Sequence, residues 1–130
     1  MSKNFKILDP NVIYWGHGRS GTCYASIKEL ESIFGKNEYE ESEDGKTIVS
    51  WTIEVKRKKL QIYSYKFNPY DYDINERCQY SVSEIDEDSL RSLQSIVPDL
   101  WLFPDHEVRK IKDKHGWFND ALGKFIKNIE

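Results

Sequence analysis

The seven residues from Gly16 to Thr22, GHGRSGT, concentrate more chemistry than any other stretch of the chain. Three glycines free backbone amides to converge, Arg19 adds a fixed guanidinium, and Ser20 and Thr22 add hydroxyl donors; such a set holds phosphate. Arg19 is one of only five arginines in the 130 residues. We therefore read Arg19, Ser20 and Thr22 as phosphate donors, with His17 as an assisting group. A plain glycine turn carrying a solvated arginine is the competing reading. The flat wall that a purine needs is supplied by Tyr63 or Tyr65, in the run LQIYSYKF. With 8 Tyr, 6 Phe and 4 Trp, the chain has rings beyond what packing requires.

Catalysis has thinner support. A loop of the tyrosine phosphatase type would carry a nucleophilic cysteine six positions before its arginine, and the residue there is Ile13. The three histidines, His17, His106 and His115, have no zinc spacing and form no local pair with Ser or Cys. Cys23 and Cys78 form no metal motif and fit a reducing compartment. The expectation is a protein without catalytic residues, metal or cofactor.

The elements that must position these groups are legible. Ser26 and Glu29 form a capping box, Gly35 stands at a helix end, and Ile27, Leu30, Ile33 and Phe34 make one apolar stripe, which predicts a helix over 26–35. An acidic loop over 37–46 follows. Val49, Trp51, Ile53 and Val55 then alternate with polar residues, and Leu60 to Phe67 forms a second strand. The link KRKK lacks Gly and Asn, so a loop longer than two residues is expected. Short strands are expected at 5–8 and 12–15. Cys78, Tyr80 and Val82 alternate with Gln79, Ser81 and Ser83 in a third strand, before a helix at about 86–97. DLWLFP, 99–104, is core or the start of a contact surface. Asp105 caps a polar helix ending near Gly116, and a last helix over 117–129 has nearly ideal apolar spacing.

This amounts to one α+β domain: an antiparallel sheet of about three to five strands with helices packed mainly on one face. Residues 105–130 form a helical C-terminal extension available for oligomerisation. A net charge of −3 with 32% charged residues favours no class of partner. No apolar run reaches membrane-spanning length, and MSKNFKILDP lacks the apolar core of a signal peptide, so a cytoplasmic location is expected.

The S-x-x-E-L helix ending in Phe34-Gly35, the acidic loop with Asp44-Gly45-Lys46, the strand centred on Trp51 and the strand ending in Ile62 to Lys66 resemble a group of small phage-encoded anti-defence proteins. That group includes the first type of Thoeris anti-defence sponge. The pieces cover about a third of the chain; no proline follows Gly35, and the tail after Pro104 has no counterpart. The resemblance implies sequestration of a cyclic nucleotide-type immune signal without cleavage, by an oligomer in the host cytoplasm. The partner would then be a small phosphorylated ligand. Two other functions stay open: a protein-binding inhibitor of a host defence system, such as an anti-CRISPR, using an acidic tyrosine-rich surface, and a small hydrolase acting through His17.

Overall fold

The computed structural model describes residues 5–9, 19–39, 42–43, 45–84, 87–116 and 121–129. The expected strand at 12–15, together with Gly16, His17 and Gly18, lies outside them. The described strands are β1 (Lys6–Leu8), β2 (Arg19–Ser26), β3 (Ser50–Val55), β4 (Lys58–Tyr63), β5 (Arg77–Glu84) and β6 (Trp101–Pro104). They form one antiparallel sheet in the order β1-β3-β4-β5-β2-β6. The helices are α1 (Ile27–Phe34), α2 (Glu87–Ile96), α3 (Asp105–His115) and α4 (Ala121–Ile129). The fold is α+β, with six strands where three to five were expected. The added strands are β2, whose first half was read as a flexible glycine loop, and β6, whose short apolar sequence carries no period.

Period-two alternation gives the sheet two different faces. On the first, Cys23 and Ala25 of β2, Trp51, Ile53 and Val55 of β3, Leu60 and Ile62 of β4, Tyr80 and Val82 of β5 and Leu102 of β6 pack with α1 and α2. On the second, Phe103, half-buried Tyr24 and half-buried Trp101 pack with Val108 and Ile111 of α3 and Leu122 and Ile126 of α4. The helices thus divide two and two, and the C-terminal pair covers the sheet end that carries β2 and β6, where the sequence placed helices mainly on one face.

Local choices agree with this plan. The capping box is complete: Glu29 N–H donates to Ser26 Oγ at 3.1 Å and Ser26 N–H to Glu29 Oε1 at 3.0 Å. Gly35 ends α1 at φ 91°, a conformation that favours glycine. The Trp51 indole N–H donates to the Gly35 carbonyl at 3.0 Å and so ties the hairpin to that helix end. Asp105 is the first residue of α3 and not its cap; that place belongs to Pro104, and no side chain caps the helix.

The β3–β4 link is a two-residue turn. Ladder pairing of Trp51 with Ile62, Ile53 with Leu60 and Val55 with Lys58 leaves only Lys56 and Arg57 between the strands, at φ 49° and 68°. Each non-glycine residue there costs about 1–2 kcal/mol. Shifting the register by one residue would turn the apolar set to the polar face, at about 1.5–3 kcal/mol per side chain, so burial decides against the longer loop.

One buried group is unsatisfied. The Tyr80 hydroxyl lies in the first-face core with no hydrogen-bond partner among the described residues, and burial pushes its pKa well up. Tyr80→Phe is expected to leave thermal stability unchanged or to raise it by up to about 1 kcal/mol. A loss of more than that in urea unfolding would mean that the hydroxyl has a partner.

Candidate functional site

The middle of the second face carries hydroxyls and amides. Along one ladder row lie Ser50, Tyr63, Ser81, Thr22 and Phe103; the next holds Thr52, Gln61, Ser83 and Arg19. The sheet therefore brings Tyr63 and Thr22 to opposite sides of Ser81, two strand spacings or about 10 Å apart. Arg19 joins them by its register opposite Ser83. Ser20 sits at a bulge in β2 and its hydroxyl reaches the Val82 carbonyl at 3.5 Å. His17 lies outside the described residues.

The same geometry changes what several of these residues can do. Thr22 is buried beside Phe103 at the edge of the α3–α4 cover, away from solvent. Gly21 is small for a packing reason: a Cβ there would meet the Phe103 carbonyl oxygen at 2.8 Å. Close approach of β2 to β6 explains this glycine without any phosphate. Gly21→Ala is therefore expected to destabilise the fold by about 1–3 kcal/mol through forced separation of the two strands, and an unchanged melting temperature would contradict that account. Tyr63 and Tyr65 do not form one wall. β4 ends at Tyr63, whereas Tyr65 lies beyond it, exposed, with the Lys66 ammonium 5.3 Å from its ring centroid.

A groove opens where the chain leaves β4 and β5 begins. Its volume is about 500 Å³, and Tyr24, Phe67, Tyr72, Glu76, Arg77, Cys78 and Gln79 line it. Gln79 pairs with Tyr24 in the β2–β5 ladder on the second face, whereas Phe67 and Cys78 pack against the first-face core, so residues of both faces meet in the groove's lining. Phe67 reaches it because Lys66, at φ 64°, breaks the strand alternation and turns this ring toward Tyr80 and Tyr72, at centroid distances of 5.3 and 6.3 Å.

Arg77 is positioned by the start of α1. Its Nε–H donates to Glu29 Oε1 at 3.3 Å, the oxygen that also accepts the Ser26 amide of the capping box. The loop over 68–76 is tied to the same helix by the Lys28 N–H donating to the Ile74 carbonyl at 3.1 Å, and its turn is shaped by the Asn68 side chain accepting from the Tyr70 amide. Burial and then the nearby Glu76 carboxylate push the Cys78 thiol up. A thiol held in its protonated form is a weak nucleophile.

The sequence reading missed Tyr24, Phe67, Tyr72, Arg77 and Gln79. Alternation in β5 did put Gln79 on the wet face, and one more step of the same count reaches Arg77. Among the described residues, no three His, Cys, Asp or Glu side chains converge as a metal site, and no described helix is long and apolar enough to cross a membrane. Comparison of the chain with protein-family models, with curated proteins and with solved structures returns no match.

Proposed function

We propose that the protein binds a small phosphorylated ligand of the cyclic nucleotide class and sequesters it without chemical change, as an anti-defence protein would sequester an immune signal. The observation that supports this most is the groove itself. Its volume of about 500 Å³ falls within the range of small-molecule sites. It sets Tyr24, Phe67 and Tyr72, rings that can flank a base, beside Arg77, a cation that suits phosphate, and Gln79, an amide that can read a base edge. Arg77 replaces Arg19 as the leading phosphate donor in this proposal, and Tyr24 and Tyr72 take the stacking role first given to Tyr63 and Tyr65.

The test is thermal unfolding against cyclic dinucleotides, cyclic trinucleotides and cyclic ADP-ribose isomers, with the ligand analysed chemically afterwards. A selective rise in midpoint with the compound recovered intact supports sequestration, because binding to the folded state alone stabilises it. Recovery of an altered compound would convert the reading to an enzyme.

One observation favours a second reading. Tyr65, Tyr70, Tyr72 and Ile74 are each between 46% and 53% exposed, and Asp71, Asp73 and Glu76 are interspersed among them. This acidic, aromatic segment suits a basic face of a protein partner. A protein-binding inhibitor would give no midpoint rise with any nucleotide and a complex that weakens steeply with salt.

A further inference from the structure

Among the described residues that line the groove, Glu76 alone carries a carboxylate, a group that phosphate binding does not call for. Burial and then this carboxylate raise the Cys78 thiol, another lining group, so the charge lies within electrostatic reach of the groove wall. The backbone beneath it is set by the loop. Glu76 N–H donates to the Asp73 carbonyl at 2.9 Å, Asn75 N–H donates to Asp73 Oδ1 at 2.8 Å, and Lys28 N–H donates to the Ile74 carbonyl at 3.1 Å. The turn therefore fixes where the side chain starts.

A carboxylate repels phosphate and only accepts hydrogen bonds. It thereby orients a phosphorylated ligand: the phosphate turns toward Arg77, and whatever faces Glu76 must donate. Two adjacent donors suit its two oxygens best. A ribose esterified at two positions, as in a cyclic nucleotide, keeps a single hydroxyl and offers no such pair. Adenine, cytosine and uracil each set a donor beside an acceptor, and the acceptor would meet a carboxylate oxygen with a lone pair. Guanine presents its N1–H and its N2 amino group side by side. Phe67 and Tyr72 supply rings on which that base can stack while its edge is read.

We infer that Glu76 makes the groove selective for guanine, through paired hydrogen bonds from the N1–H and the N2 amino group to its carboxylate. This rests on the reading of the groove as a cyclic nucleotide site and names the base that the site takes.

The test is isothermal titration with matched cyclic dinucleotides and cyclic trinucleotides carrying guanine, hypoxanthine or adenine. Hypoxanthine differs from guanine only in lacking the N2 amino group. Wild-type protein should bind the three bases in falling order, with guanine at least about tenfold tighter than adenine. Glu76→Gln keeps the shape of the side chain but sets an amide donor where an acceptor is needed. It should cost the guanine compound at least about tenfold, change the adenine compound less than about threefold and leave the melting temperature unchanged. Asp71→Asn removes the same charge from the same loop, outside the groove's lining, and should leave the order intact. Equal affinity for guanine and adenine, an order that Glu76→Gln does not alter, or an order that Asp71→Asn alters as much, overturns the inference and leaves the groove reading standing. Binding only of a cyclic ADP-ribose isomer, lost in Glu76→Gln, would assign the carboxylate to a ribose diol and overturn guanine selection. Binding of no compound in the panel removes the groove reading and the inference with it.

Discussion

Replacing Trp51 by alanine is expected to lower the unfolding free energy by about 3–5 kcal/mol, the largest loss of any substitution considered for this chain. Trp51 is 2% exposed. It is the second residue of β3, across the ladder from Ile62, and its ring belongs to the core that α1 and α2 close. Truncation removes the buried ring and leaves a cavity between strand and helix that only partial relaxation can fill. It also removes the indole donor from the Gly35 carbonyl at the end of α1. Trp51→Phe separates the two effects: it keeps most of the volume and loses the hydrogen bond, so a loss nearer 1 kcal/mol is expected. Urea unfolding reads both. If Trp51→Ala cost less than about 1 kcal/mol, the tryptophan would not be the buried link between hairpin and helix described above.

The second large effect concerns binding. If the groove holds the proposed cyclic nucleotide, Arg77→Ala is expected to weaken its capture by about 1.5–3 kcal/mol, or roughly ten- to a hundredfold, through loss of a charge-assisted contact to phosphate. Its effect on folding should be small. The Arg77–Glu29 pair is about one-third exposed on both sides, and such pairs are worth about 0–1 kcal/mol. The two readouts therefore part: affinity collapses while the melting temperature scarcely moves. Arg77→Lys should restore little of the affinity, because a point charge does not reproduce the planar fork of a guanidinium. Equal affinity for wild type and Arg77→Ala would remove Arg77 from the site.

These two residues also show what the sequence made legible. The α1 cap and stripe, the strand around Trp51 and the alternation of β5 were readable because each is a local period with a marked end. The glycine-rich stretch misled because its composition fits a phosphate loop, and only the pairing of Gly21 with Pro104 and Phe103 nearby reveals that glycine is there to let two strands close. The hairpin turn misled for a related reason: local propensity argued for a longer loop, and the long-range burial of Trp51, Ile53, Leu60 and Ile62 overruled it. The groove was illegible because it is built from the end of β2, a non-repeating segment containing Phe67 and Tyr72, and the start of β5. Its components are separated by tens of residues, and Arg77 stands at the end of NPYDYDINER, a run with three carboxylates and no period. Its link to Glu29 exists only once α1 and β5 are side by side.

Position 123 connects the C-terminal helix to the same groove. A Cβ on Gly123 of α4 would meet the Tyr24 hydroxyl at 2.8 Å, so this glycine lets the helix settle against a ring that lines the site. The C-terminal pair of helices thereby has a role within one chain, as cover for β2 and β6 and as backing for Tyr24, whatever its part in assembly.

The central claim, that the groove beside Arg77 holds the ligand, is tested most directly by a titration of the isotopically labelled protein with each compound of the nucleotide panel, following backbone amide resonances. One class of compound is expected to shift the amides of Tyr24, Tyr72, Arg77 and Gln79 together, in a saturable way, and to leave those of the hairpin tip in place. Saturable shifts confined to other parts of the molecule, or a spectrum unmoved by every compound, would contradict it.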